Sequence, residues 1–63
     1  MVTPRPGLGS LRDEQHQSQD DVHNLTGLHK ATIVKIERGE EVLASKLAIY
    51  AKHFGLELDL FQA

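Results

Sequence analysis

The stretch that decides the fold is Ser18-Gln19-Asp20-Asp21-Val22-His23-Asn24-Leu25-Thr26-Gly27-Leu28-His29-Lys30-Ala31-Thr32-Ile33-Val34-Lys35-Ile36-Glu37-Arg38-Gly39. Ser18 followed three residues later by Asp21 is a reciprocal helix start, and Asp20 and Asp21 both suit the positive end of a helix. Val22 and Leu25 give this helix an inward face, and Gly27 supplies the left-handed conformation that ends it. A second helix is predicted from His29, with Ile33 and Ile36 at helical spacing and a stop at Gly39 after Arg38. Only a tight turn fits between the two.

Toward the N-terminus, Ser10 with Asp13 predicts a short helix over residues 11–16. Before it, Pro4, Pro6, Gly7 and Gly9 disfavour a helix, so residues 1–9 are expected to form a mobile tail. Toward the C-terminus, residues 40–44 read as a connector. Ser45 then caps a fourth helix that carries Leu47, Ala51 and Phe54 on one face, Ile49 on the other, and closes at Gly55. Leu56-Glu57-Leu58-Asp59-Leu60-Phe61 alternates apolar and acidic residues with a period of two, which favours a strand. A lone strand cannot satisfy its own backbone, and no second strand is visible, so its partner is expected to be the same segment of another subunit or a segment of a different protein.

The chain has 63 residues, room for one small domain whose stability is marginal by itself. Apolar residues make up 40% and charged residues 25%, which is too apolar for a disordered tail. With no cysteine, disulfides are excluded and oligomerisation or a partner is the expected support. No apolar run approaches a membrane span and no secretory signal is present, so a cytoplasmic location is expected. The formal net charge of −2 is unusual for a nucleic-acid binder. Between His29 and Arg38, however, three cations face one carboxylate, so positive charge is concentrated on the second helix of the pair.

The block from Ser18 to Gly39 resembles the helix-turn-helix of the lambda-repressor/Cro-like (Xre-type) family through its Ser-Gln start, Thr-Gly-Leu turn, Ala-Thr-Ile core and Ile-Glu-Arg-Gly end. The resemblance runs from about Leu11 to Gly55. It implies an all-α, compact four-helix lambda-repressor-like DNA-binding domain over residues 10–55, to which the alternation adds a C-terminal dimerisation strand over residues 56–63. Such a recognition helix needs small or polar residues on its outer N-terminal face and apolar ones behind, and Lys30, Ala31, Thr32 and Lys35 stand against Ile33 and Ile36. Lys30 and Lys35 are suited to guanine acceptors, and Ala31 or the Thr32 methyl to a thymine methyl.

Expected DNA-binding residues are therefore Gln19, His29, Lys30, Ala31, Thr32, Val34, Lys35 and Arg38. The resemblance implies that Gln19 contacts the DNA backbone and buttresses the recognition helix. It also implies that Arg12 and Glu37 form a structural ion pair. Val34 is equally a packing residue or a base-methyl contact. Asp20 and Asp21 repel phosphate, which should keep affinity per domain modest. Three features depart from the family: the first helix is cut short by Pro6, Gly7 and Gly9, Gln17 replaces an apolar residue, and His29 replaces a serine-like cap.

The run from Tyr50 into Leu60 looks more like the HipB-type antitoxins than the phage repressors, which finish with a fifth helix. That likeness implies a homodimer on a palindromic operator, autoregulation and a kinase-like toxin partner, with Ile49, Leu58 and Leu60 as interface candidates. Leu58 and Leu60 are equally able to complete the core of their own subunit. The alternatives are a phage-type repressor without a toxin, or a protein-interaction module with vestigial DNA binding. No glycine-rich phosphate loop, cysteine nucleophile or paired zinc-site histidine spacing is present, so no enzyme, cofactor or metal is expected.

Overall fold

A computed structural model describes residues 1–62. The decisive stretch forms α2 (Gln19–Thr26) and α3 (Lys30–Arg38), preceded by α1 (Leu8–Glu14) and followed by α4 (Ala44–His53) and a 3-10 turn (Leu58–Phe61). At the start of α2 the Asp21 N–H donates to Ser18 Oγ and the Ser18 N–H donates to Asp21 Oδ2, both at 3.0 Å. Gly27 ends α2 at φ 79°, a conformation that a Cβ would strain. Thr26 Oγ1 donates to the Val22 carbonyl and accepts from the Leu28 N–H, and His23 Nδ1 donates to the Leu28 carbonyl. The three-residue turn is thus tied to α2 from both sides, which fixes the direction in which α3 departs.

Val22, Leu28, Ile33, Ile36, Leu47, Tyr50 and Phe54 make one core beneath the four helices. Tyr50 packs against Phe54 with the rings tilted and their centroids 4.9 Å apart, and meets Phe61 edge-on at 6.0 Å, separations at which aromatic pairs attract beyond their buried area. Among the described residues no helix is long and apolar enough to cross a membrane.

Both ends of the chain correct the reading of the sequence. Residues 56–62 do not form the expected strand: Leu58–Phe61 is a 3-10 turn, and Phe61 is 1% exposed in the chain's own core. At three residues per turn Leu58 and Phe61 share a side, so burying the aromatic ring beats the two-residue alternation that set Phe61 among the acids. Leu58 is half-buried against the same core, whereas Leu60 faces outward. The C-terminal backbone meets the N-terminal segment instead of another subunit. Gln62 pairs with Pro4, and the Arg5 N–H donates to the Phe61 carbonyl at 2.6 Å.

Residues 1–9 accordingly pack against the domain instead of trailing from it. Pro4 is buried, Val2 and Val42 exchange backbone hydrogen bonds at 2.8 and 3.0 Å, and α1 already begins at Leu8. Proline suits this extended segment because its neighbour Arg5 supplies the donor there. Ser10 is therefore inside α1 and not its cap. Ser45 likewise lies within the first turn of α4, because Val42 is held extended against Val2 and Leu43 takes the cap position.

Candidate nucleic-acid interface

α3 is divided lengthwise. Ile33 and Ile36 are fully buried, while His29, Lys30, Ala31, Lys35 and Arg38 are exposed and Thr32 and Val34 are half-buried. One cationic side of the helix thus faces solvent because its apolar side is committed to the core. Thr32 and Lys35 share a shallow groove with Leu43 and Lys46, so the start of α4 flanks the same face. Sequence reasoning did not single out Lys46, since nothing local to α4 shows that it comes beside α3. His29 is the cap residue of α3, but its side chain makes no capping hydrogen bond.

The N-terminal end of α2 and the C-terminal end of α3 are joined through Glu37. Arg12 Nε donates to Glu37 Oε2 at 2.8 Å and Arg12 Nη2 donates to Oε1 at 3.2 Å. Gln19 Nε2 donates to Oε1 at 3.1 Å, and the Tyr50 hydroxyl donates to Oε2 at 3.0 Å. Arg12 also donates to the Gln17 carbonyl at 2.8 Å, and Gln17 Oε1 accepts from His53 Nε2 at 2.7 Å, so the polar residue that departs from the family has a partner of its own. One carboxylate therefore collects donors from α1, α2 and α4. Gly9 lies against it: a Cβ there would stand 3.0 Å from Glu37 Oε1.

Burial pushes the Glu37 carboxyl up, but the hydrogen bonds from Arg12, Gln19 and Tyr50 together outweigh it and hold the group below its ordinary range. The bond to Glu37 in turn raises the Arg12 guanidinium. Burial first, and then the Glu37 carboxylate, push the Tyr50 hydroxyl well above its usual value. A carboxyl held low in the fold stabilises above its unfolded pKa of about 4.3 and loses that contribution as pH falls through the folded value. The urea midpoint is therefore expected to fall between pH 5 and pH 3, with a shallower fall in Glu37→Gln. An unchanged midpoint across that interval would contradict the assignment.

Acids stand beside the outer cations. Lys30 Nζ lies 2.7 Å from Asp20 Oδ1, and Arg38 Nη1 lies 3.8 Å from Glu40 Oε2. The hydrogen bond from Lys30 holds the Asp20 carboxyl below its ordinary range. Among the described residues, Lys35 and Lys46 form no ion pair. Asp21 is occupied by the helix cap, so the two neighbouring acids of α2 have different employment.

The interface candidates do not converge. Ile49 borders a groove with Leu25, Lys52 and His53, whereas Leu60 borders another with Leu56, Leu8 and Leu11, and Leu58 packs inward. No group of three or more His, Cys, Asp or Glu suited to a metal occurs among the described residues.

Searches of curated proteins and of solved structures return no match to the chain. The helix-turn-helix family matches it over residues 8–61. That span includes all four helices and the 3-10 turn, and so the whole of the architecture that exposes α3. The chain belongs to the helix-turn-helix family of Cro/C1 type, the Xre-like DNA-binding regulators.

Proposed function

We propose that the chain is a sequence-specific transcriptional regulator that seats α3 in the major groove of double-stranded DNA and acts as a homodimer on a palindromic operator. The observation that carries this is the division of α3, whose apolar side is fully buried while Lys30, Ala31, Lys35 and Arg38 remain exposed. A base edge needs such a helix face, with donors that are not consumed by the core. Lys30, Ala31, Thr32, Val34 and Lys35 are assigned to the bases. Gln19, His29, Arg38 and the added Lys46 are assigned to the flanking backbone. Gln19 serves both roles suggested for it if its remaining amide hydrogen or oxygen meets DNA while Nε2 stays on Glu37.

For the dimer, the outward leucines Leu56 and Leu60 beside Leu8 and Leu11 form the larger of the two apolar grooves and are our choice of contact. Ile49 lies on the separate face, and Leu58 serves the subunit's own core. The narrower antitoxin reading, with a kinase-like toxin as partner, drew on a C-terminal strand. With a 3-10 turn in that place, the plain regulator is the reading best supported.

Selection from a random duplex pool, followed by titration at several salt concentrations, tests the proposal. The enriched site is expected to be palindromic, with half-sites about one DNA turn apart. Lys35→Ala is expected to weaken binding by roughly 1–3 kcal/mol, or about 5- to 150-fold, and to relax specificity at the base pair it reads. Failure to enrich any duplex, with tight capture of a protein instead, would favour the interaction module.

A further inference from the structure

We infer that Asp20 is a specificity-determining residue, which by holding the Lys30 ammonium keeps that lysine from serving as an indiscriminate phosphate anchor. The inference rests on the DNA-binding reading above and adds a role for a residue that the reading counts only as a liability.

The two acids at the start of α2 are not equivalent. Asp21 closes the reciprocal cap with Ser18, so the fold requires it. Asp20 has no such duty: its one ion-pair partner among the described residues is Lys30, ten positions later on the far side of the turn, at 2.7 Å. The side chains are 68% and 54% exposed, and a pair so open to solvent adds little to stability. Its effect falls instead on what Lys30 can do at a DNA surface.

A free lysine is a compact charge on a flexible stem, which meets any phosphate within reach and releases a counterion as it does so. Held by Asp20, Lys30 is neutralised locally, so a phosphate that meets the pair gains a hydrogen bond but little net charge attraction or counterion release. An ammonium has three donors, however, and one bond to Asp20 leaves two. Guanine presents O6 and N7 side by side in the major groove, so it can take both remaining donors while the pair stays intact. Lys30 then contributes on the right base and not on the wrong sequence. The two sites join because the turn, fastened by Thr26 and His23, sets the start of α3 beside the start of α2.

The test compares Asp20→Asn, Lys30→Ala and the double variant on two probes: the duplex enriched by the unaltered chain from a random pool, and a scrambled duplex of the same length. Far-ultraviolet circular dichroism establishes that each variant is folded, which the exposure of both side chains favours. Asp20→Asn is expected to bind the scrambled duplex about threefold or more tightly at low salt, with a salt slope steeper by about one, as one added phosphate contact requires. Its affinity for the selected duplex should change less, so that discrimination falls. In the Lys30→Ala background the same substitution should change nothing beyond about twofold, the size of error in additive cycles. An equal gain with and without Lys30 would show the carboxylate repelling phosphate unaided, and would overturn the inference while leaving the DNA reading intact. So would an equal gain on both duplexes, or no gain. If the unaltered chain enriches no duplex, the DNA reading itself falls and this inference with it.

Discussion

Glu37→Ala is expected to destabilise the chain by about 3 kcal/mol, the lower end of the usual loss when one partner of a buried ion pair is removed, because this pair is part-buried. The reason is the company that this carboxylate keeps. Arg12 reaches it with two nitrogens, and Gln19 and Tyr50 add one donor each. Without it the guanidinium, 14% exposed, would keep only the exposed Asp13 carboxylate and the Gln17 carbonyl as partners. A domain of this length has roughly 3–9 kcal/mol of stability in all, so such a loss removes about a third of it or more. Urea titration followed by circular dichroism measures the effect. Glu37→Gln keeps the shape and accepts fewer charge-assisted bonds, so it should fall between the parent and Glu37→Ala. A loss below about 1 kcal/mol in Glu37→Ala, the value of an exposed pair, would show that the pair is in effect solvated.

The second large loss is expected at the other end of the chain. Phe61→Ala should cost about 3–5 kcal/mol, as deletion of a buried aromatic ring does when its surroundings cannot collapse. Phe61 is 1% exposed and meets the Tyr50 ring edge-on. Leu60→Ala, one residue earlier and 53% exposed, should stay within about 0.5 kcal/mol when measured on dilute monomer. The contrast separates the 3-10 turn from a strand shared between subunits, since a strand would place Leu58 and Leu60 on one side and Phe61 on the other. Comparable losses at Leu60 and Phe61 would argue for the shared strand.

The helix pair was legible in the sequence because everything that specifies it is local. Ser18 and Asp21 find each other within one turn, Gly27 supplies its own conformation, and Ile33 and Ile36 repeat at helical spacing. The division of α3 into a buried and an exposed side follows from the same spacing. The ends of the chain were not legible, because their partners are distant. Arg5 donates to the Leu60 carbonyl across 55 positions, and no short-range pattern announces such a contact. Pro4 forbids a helix by a local rule, whereas the extended pairing it permits depends on Gln62, far along the chain. The alternation of Leu56 to Leu60 is a true period, but the burial of Phe61 outweighs it.

The candidate site divides in the same way. The identity of the outward residues of α3 could be read directly, whereas the carboxylates beside Lys30 and Arg38 emerge only once the turn is folded. Tyr50 as a donor to Glu37 and Lys46 as a neighbour of Lys35 both depend on where α4 lies. Charge counted along the chain therefore overstates the cations that are free at this surface.

Gly9 acquires a meaning from Glu37 that its place in α1 would conceal. Alanine is the better helix former by about 1 kcal/mol, and a glycine inside a helix is ordinarily the first position a protein engineer would exchange for it. Here the added methyl carbon would stand 3.0 Å from an oxygen already gripped from several sides, which leaves the carboxylate little freedom to retreat. The helix accepts a poorer backbone so that another side chain has somewhere to sit, and the usual recipe for hardening a small domain is unsuited to this one position.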